Sequence, residues 1–280
     1  MGKIIDGKSI ANKIKDSIAK EIYNLGQRPN LAIILLGNRE DSKLYVNLKQ
    51  KQAKSVGIDT HFYHLEAETS EEELIKVIEF LNNDALIDGI LVQLPLPKHI
   101  NADKVVNIID PQKDVDGFNQ KNLDSLNSEE TLISPVFSSV LKIFEDINYN
   151  LEDKNLALVY NSEIFGNNLR ELLEKKKAKF LMIQKKTINK NIDKLKTADA
   201  IITAIGYPWW IKKSYIKKGV VIIDIGITKK KEKVYGDANY NYLLDKVSYI
   251  TPVPGGIGPI TIAMLFQNTL KAFKARKENK

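Results

Sequence analysis

Tyr45 and Lys49 stand four residues apart in the segment that begins at Asp41, DSKLYVNLKQKQAKSVGI. On a helix, side chains at this spacing share one face. Such a pair is usually an ordinary part of a helix surface, but a lysine whose pKa is lowered by burial can also transfer protons as a general acid or base. By itself the pair favours the structural interpretation, so its chemistry depends on the residues that accompany it.

Three further segments contain residue types that suit a ligand site. They are QLPLP with Gln93 and Pro95, KDVDG with Asp114 and Asp116, and TPVPGGIGPIT at residues 251–261. Prolines can simply end a strand, and aspartate and glycine favour turns. The third segment is harder to explain in this way, because a stiff, glycine-rich backbone can approach a ligand closely and bind it through its amides. The four segments together favour an active site.

The elements that position these segments are apolar runs that alternate with amphipathic stretches, in two rounds. The first round predicts strands at 31–37, 60–65 and 89–97, and helices at 8–25, around Tyr45 and Lys49, at 70–81 and at 103–109. The second predicts strands at 155–160, 179–183, 198–206, 219–226 and 248–253, with a helix at 169–178. Buried runs of this kind indicate an α/β fold in two domains with parallel sheets, the second of the Rossmann type. We expect domains at 1–145 and 146–260, connected through a polar, helical segment near 119–153, with a last helix at 261–280 that packs back onto the first domain.

Composition narrows the class of protein. The 280 residues carry a net charge of +7 and contain no cysteine, which excludes disulfides, thiolate metal sites and a thiol nucleophile. Because the lysines are dispersed, we expect a basic surface that suits an anionic small substrate, and no nucleic-acid binding. No apolar run is long enough to span a bilayer and the N-terminus lacks a secretory signal, so we expect a cytoplasmic protein without membrane association. No metal site is predicted.

The order and spacing of the motifs match those of a known family. Besides the four segments, the chain contains IIDGK at 4–8, VIIDIGI at 221–227 and a Gly-Asp pair at 236–237. It resembles the bifunctional methylenetetrahydrofolate dehydrogenase/cyclohydrolases, the FolD family, nearly from end to end. Short-chain dehydrogenases also use a Tyr-x-x-x-Lys pair, but there it follows a glycine-rich nucleotide loop, and no such loop precedes Tyr45.

The resemblance implies a homodimeric enzyme of one-carbon metabolism that acts on tetrahydrofolate derivatives. It would oxidise 5,10-methylenetetrahydrofolate with NAD(P)+ and hydrolyse the methenyl product to 10-formyltetrahydrofolate. The first domain would bind the folate. The implied catalytic residues are Lys49, Tyr45, Gln93 and Asp116. Lys49 would be the general acid or base, Gln93 would orient it, and Tyr45 would stack on the folate. The other implied substrate-binding residues are Asp116, which would bind the pterin, Asp114, which would bind it or stabilise the loop, and Pro95, Gly255, Gly256 and Pro259, which would shape the wall.

The second domain departs from the family pattern. Where the family has Gly-Arg-Ser-x-x-Val-Gly to hold the 2′-phosphate of NADP, this chain has Tyr160 to Gly166, with Asn161 in place of the arginine and a negative charge at Glu163. The resemblance therefore implies NADP, with NAD as an alternative, and leaves open a cyclohydrolase without dehydrogenase activity or a non-catalytic folate-binding protein. The implied cofactor-binding residues are Asn161, Ser162, Gly166, Lys185, Lys186, Thr203, Gly206 and Ile227.

Overall fold

The computed structural model describes residues 1–126, 128–231 and 233–278. In the first half of the chain the elements are β1 (Lys3–Ile4), α1 (Gly7–Leu25), β2 (Asn30–Leu36), α2 (Glu40–Val56), β3 (Asp59–Leu65), α3 (Glu71–Asn83), β4 (Gly89–Val92), α4 (Ala102–Ile108), α5 (Gln120–Asp124) and α6 (Pro135–Asp146). In the second half they are β5 (Asn155–Tyr160), α7 (Glu163–Glu174), β6 (Lys179–Gln184), α8 (Ile188–Leu195), β7 (Ala200–Ala204), β8 (Val220–Asp224), β9 (Thr228–Lys230), β10 (Lys233–Tyr235), α9 (Tyr240–Leu243), β11 (Val247–Ile250) and α10 (Ile257–Glu278). Among the residues described, no helix is both long enough and apolar enough to cross a membrane.

These elements form two compact units on parallel sheets, which confirms the predicted α/β fold. The three-stranded unit comprises Asn12–Pro135 and Ile262–Lys280, and the six-stranded unit comprises Met1–Ala11 and Val136–Thr261. The predicted domains, 1–145 and 146–260, stay a prediction, because compactness does not measure which segments fold independently.

In the three-stranded unit, β2 lies between β3 and β4 and is parallel to both. β2 is a continuous apolar run because it is central, and its residues from Leu31 onward are buried. Its alternate side chains pack with the apolar face of α3, which begins with a capping box between Ser70 and Glu73. The carboxyl ends of β2 and β4 therefore lie side by side, at one edge of this sheet.

In the six-stranded unit, the strand order is β1-β11-β8-β7-β5-β6, and all the neighbours are parallel. The chain runs outward from β5 to β6 in one direction and returns to β7 on the other side of β5. The topological switch point therefore lies between β5 and β7, which is where α/β sheets bind ligands outside the carboxyl ends of their strands. A separate antiparallel pair, β9 and β10, was not predicted.

Several helices differ from the sequence-based expectation. α8 and α9 were not predicted, and α10 begins at Ile257 rather than at 261, with residues 279 and 280 of that prediction outside the described residues. α7 begins at Glu163 rather than near 169, because the Ser162 hydroxyl accepts a hydrogen bond from the Phe165 amide and caps the first turn. α6, expected in the connection, belongs to the six-stranded unit from Val136 onward, and its Phe137 packs on Phe165 of α7 with ring centroids 5.3 Å apart.

Candidate active site

Lys49 and Gln93 meet at the carboxyl edge of the three-stranded sheet. Lys49 lies on α2, which follows β2 directly, and its Nζ donates a hydrogen bond of 2.8 Å to Gln93 Oε1. Gln93 is the first residue after β4; its amide nitrogen Nε2 donates to the Leu94 carbonyl at 2.7 Å. Because Nε2 is committed to a carbonyl, Oε1 must face the lysine, so the glutamine fixes the position of Nζ without adding charge.

Burial and the charge of Asp116 act on Lys49 in opposite directions. Burial lowers the pKa of Lys49, and the nearby carboxylate of Asp116 opposes part of this change. Burial in turn raises the pKa of Asp116, and the ammonium of Lys49 opposes that rise. A lysine held closer to neutrality than an exposed one is suited to accepting and returning a proton.

Tyr45 shares the Lys49 face of α2 and remains accessible. Its side chain is 47% exposed, so the ring is not part of the core and has a free face for a planar ligand. Pro95 follows a cis peptide bond after Leu94 and is also exposed. Both residues lie in the unit that contains Lys49, and their roles in substrate binding stay predictions.

The two carboxylates of the KDVDG loop have different surroundings. Asp114 is 1% exposed, and its oxygens accept hydrogen bonds from the amides of Gly117 at 3.1 Å and Asn119 at 2.7 Å. Burial raises the pKa of Asp114 to about 6, with a further contribution from the charge of Asp116. Asp114 is thus committed to the shape of the loop, whereas Asp116 is only half-buried, and its binding of a ligand stays a prediction.

Sequence reasoning missed a residue that holds this loop in place. Asn268 on α10 is buried, and its side-chain amide donates to the carbonyls of Val115 at 2.9 Å and Ile133 at 2.8 Å. Gly117 has a φ of 66°, and a Cβ there would come within 2.5 Å of the Ser134 amide. A separation of 153 residues gives no local signal, so only the folded chain identifies Asn268.

The first turn of the nucleotide-binding motif in the six-stranded unit is filled by a side chain. Tyr160 is 7% exposed, and a Cβ on Gly166 would come within 2.7 Å of its ring. The Tyr160 hydroxyl donates to the Glu163 carboxylate at 3.1 Å. Gly166 is therefore needed for packing against the tyrosine, while Asn161 and Ser162 remain exposed at the start of α7.

Of the other expected cofactor residues, most are exposed, one of these also donates a hydrogen bond within the protein, and one is buried. Lys185 and Lys186 are exposed after β6, and Lys185 Nζ donates to the Ile205 carbonyl at 2.8 Å. Gly206 is exposed with a φ of 61°, and Ile227 is 55% exposed. Thr203 is buried, so its side chain is not available to a ligand.

This donor set fits a dinucleotide in part. An exposed helix start capped by Ser162, an open glycine at 206 and two lysines suit a pyrophosphate. Asn161 offers no charged fork for an additional phosphate, and the carboxylate of Glu163 lies beside it.

The glycine-rich segment near residue 255 belongs to the six-stranded unit. Gly255 has a φ of 102° and open space where a Cβ would be. Gly256 is buried, and its carbonyl approaches Gly7 so closely that a Cβ on Gly7 would overlap it. Gly256 is thus a packing residue, whereas Gly255 and the half-buried Pro259 leave backbone accessible; their contact with substrate stays a prediction.

The chain is similar to known proteins over nearly its whole length. The family model for the tetrahydrofolate dehydrogenase/cyclohydrolase catalytic domain matches residues 5–116, and the model for its NAD(P)-binding domain matches residues 135–277. A bifunctional protein FolD from Thermodesulfovibrio yellowstonii is 43% identical over 98% of both chains. The structure of the bifunctional FolD enzyme of Campylobacter jejuni has a TM-score of 0.93 and 36% identity, covering 99% of this chain and 100% of that one. The Trypanosoma brucei FolD, solved with NADP cofactor and an inhibitor, has a TM-score of 0.92 and 30% identity over 98% of both chains. The chain belongs to the tetrahydrofolate dehydrogenase/cyclohydrolase family.

Proposed function

We propose that this chain oxidises 5,10-methylenetetrahydrofolate to 5,10-methenyltetrahydrofolate with NAD(P)+ and hydrolyses the methenyl form to 10-formyltetrahydrofolate, both reversibly. The observation that carries the proposal is the hydrogen bond from Lys49 to Gln93, on a lysine whose pKa burial lowers. The full-length similarity to bifunctional FolD proteins supports both activities.

In the hydrolytic step, Lys49 is the residue that moves protons. Neutral Nζ accepts a proton as water attacks the methenyl carbon, and one proton leaves to solvent. Lys49 then transfers the proton of the resulting hydroxyl to the ring nitrogen that departs when the five-membered ring opens. Gln93 holds Nζ in place throughout, because its Nε2 donates to the Leu94 carbonyl and its Oε1 accepts the hydrogen bond from Nζ.

Asp116 and Tyr45 would bind the substrate. A carboxylate can accept two parallel hydrogen bonds from the amino group and ring nitrogen of a pterin. The half-exposed ring of Tyr45 would stack on the folate, on the same helix face as Lys49. Asp114 would contribute indirectly, by holding the loop from which Asp116 projects.

NAD(P)+ would supply a hydride acceptor for the oxidation. The NAD(P)-binding family model and the NADP-complexed relative support this cofactor class. We infer that the preference for NADP over NAD is weak or reversed, because Asn161 provides no bidentate partner for the 2′-phosphate and Glu163 adds a negative charge. Lys185 is directed to the Ile205 carbonyl, which leaves Lys186 as the lysine available to that phosphate.

The deciding experiment compares three reactions of the purified wild type: methylene oxidation with NADP, the same oxidation with NAD, and methenyl hydrolysis. We expect all three, with the NADP and NAD efficiencies within about tenfold of each other. Asn161→Arg should raise the preference for NADP, and Lys186→Ala should lower it, with Lys185→Ala as the matched control. A strong NADP preference that Lys186→Ala leaves unchanged would refute the inference about the phosphate.

A cyclohydrolase without dehydrogenase activity is the second candidate, and the filled turn around Tyr160 favours it. Hydrolysis without oxidation by either cofactor would establish that candidate. Folate binding without either reaction would establish a non-catalytic binding protein. We further propose a homodimer in the cytoplasm, as the family resemblance implies, and light scattering of the purified protein tests the dimer.

A further inference from the structure

Asp237 is a fully buried carboxylate that holds the loop after β7. It lies after β10, yet its oxygens accept hydrogen bonds from the Thr203 hydroxyl at 2.6 Å, the Ile205 amide at 2.9 Å and the Tyr207 amide at 2.8 Å. All three partners are donors, and a carboxylate that only accepts hydrogen bonds suits them. The two amides lie on either side of Gly206, so Asp237 fixes the backbone that flanks this glycine.

A second buried carboxylate, Asp224, holds the neighbouring loop at the end of β8. Its oxygens accept hydrogen bonds from the Gly226 amide at 2.9 Å and the Ala238 amide at 2.7 Å. Its own amide donates to the Thr251 hydroxyl at 2.7 Å. Asp224 therefore connects the end of β8 to the segment that contains Asp237 and to the segment after β11.

Each of the two aspartates packs against a glycine that is close in sequence to the other aspartate. A Cβ on Gly226, two residues after Asp224, would come within 2.2 Å of Asp237 Oδ1. A Cβ on Gly236, directly before Asp237, would come within 2.1 Å of Asp224 Oδ2. Each carboxylate is thus covered by the glycine that belongs to the other. This reciprocal packing excludes any side chain at either glycine.

Burial disfavours a second negative charge beside Asp237. Burial, and secondarily the charge of Asp237, raises the pKa of Asp224 to about 8, so Asp224 is mostly protonated at pH 7. Two carboxylates this close and this buried cannot both ionise cheaply. The three donors around Asp237 suit a carboxylate, which only accepts hydrogen bonds.

This charge lies at the part of the sheet where the nicotinamide half of a dinucleotide would bind. In a doubly wound sheet the pyrophosphate binds at the first strand-to-helix turn, here β5 to α7, and the adenosine extends over the next strand, here β6. The half formed by β7 and β8 is then left for the nicotinamide nucleotide. Asp237 lies directly below the loop at the carboxyl end of β7.

We propose that Asp237 is a positioning residue for the dinucleotide. It fixes the backbone on both sides of Gly206, and its buried negative charge favours the positively charged oxidised nicotinamide over the neutral reduced ring. The proposal rests on the proposed dehydrogenase function and adds to it a reason why the oxidised cofactor would bind in preference. Tyr207 lies on this loop, and Lys185, which follows β6, donates to the Ile205 carbonyl of the loop.

The test is the ratio of dissociation constants of the reduced and oxidised cofactors, measured by titration calorimetry on the full-length chain. A unit charge about 10 Å away at an effective dielectric constant of about 20 changes such a ratio by about tenfold. We therefore expect Asp237→Asn to weaken the oxidised form about tenfold more than the reduced form. Asp199→Asn is the matched control, because Asp199 lies at the amino end of β7, away from the proposed cofactor site, and forms an ion pair with Lys217. Its ratio should stay within about twofold of the wild type.

A merely structural role would weaken both cofactor forms equally, and that result overturns the proposal. If Asp237→Asn does not fold, the same ratio of dissociation constants is measured for the wild type and for Asp224→Asn, each at pH 7 and at pH 9. Asp224 of the wild type is ionised at pH 9 and adds a second negative charge, so the preference for the oxidised form should rise with pH in the wild type and stay constant in Asp224→Asn. A wild-type ratio that is equal at the two pH values overturns the proposal. A wild type that binds neither form, while hydrolysing methenyltetrahydrofolate, overturns the dehydrogenase function as well.

Discussion

Replacing Lys49 by methionine removes the nitrogen that the proposed mechanism requires and keeps most of the apolar stem. The nitrogen donates its hydrogen bond to the uncharged Gln93 at 2.8 Å, and the charge that it faces is the carboxylate of Asp116. A bound pterin would still offer its own donors to Asp116, so folate affinity should change by less than about tenfold. A positioned acid or base contributes about 10²–10⁴-fold to the rate, which corresponds to about 2.7–5.4 kcal/mol of activation free energy. We expect kcat for methenyl hydrolysis to fall by that factor with little change in KM.

The assay is the loss of methenyl absorbance, followed as a function of pH. Because burial lowers the pKa of Lys49 from its ordinary value of 10.5, the wild-type rate should rise with pH along a limb whose apparent pKa lies below 10.5. Lys49→Met should lack that limb. Lys51→Met is the control, since Lys51 lies on the same helix and is exposed. A Lys49→Met enzyme that hydrolyses within about threefold of the wild type and keeps its pH limb would refute the mechanism.

Three further predictions concern binding and stability. Asp116→Ala should weaken folate binding by about 1.5–3 kcal/mol in a binding titration, and Asp114→Ala should cost less affinity and more stability; the reverse ranking would refute our assignment of the loop. Arg276→Met should lower the free energy of unfolding in urea by about 3–5 kcal/mol, because it removes the ion-pair partner of the buried Asp88 carboxylate. Lys274→Met, which breaks an exposed ion pair, should cost at most about 1 kcal/mol. The pKa of Asp224 is raised from 3.8 to about 8 in the folded state, so the free energy of unfolding should fall as pH rises from about 4 to 8, by at most about 6 kcal/mol. Asp224→Asn should lack this fall in urea titrations across the same pH range.

The regular elements could be predicted from local patterns. β2 and β8 are short continuous apolar runs because each is covered on both faces, and such runs are visible without the fold. The start of α7 was misplaced because the apolar face begins at Leu169, whereas a single hydroxyl at Ser162 decides where the helix begins. The hairpin of β9 and β10 was missed because its six residues are mostly polar and half of them are lysine.

The candidate site was predictable where the family motifs carry it. The contact between Lys49 and Gln93 was expected from the family resemblance, and the fold accounts for it, because β2 and β4 are adjacent parallel strands and the elements that follow them begin at the same end of the sheet. The destination of Lys185 was not predictable. Its side chain donates to a carbonyl after β7, although β5 lies between β6 and β7, and the choice depends on which acceptor the folded loop presents.

Positions that act over long sequence separations escape local patterns for a physical reason. Asn268 and Asp237 each satisfy backbone groups of a loop that is distant in sequence but adjacent in space. A buried backbone amide or carbonyl without a partner costs free energy, so a buried loop whose backbone groups do not pair with other backbone or with water needs a side chain to complete its hydrogen bonds. The loop determines the chemistry of that side chain: a carboxylate for unpaired amides, as at Asp237, and a side-chain amide for unpaired carbonyls, as at Asn268. The loops that present Asp116 and Gly206 therefore depend on residues that need not touch a ligand, and substitutions there should alter binding through the shape of the backbone.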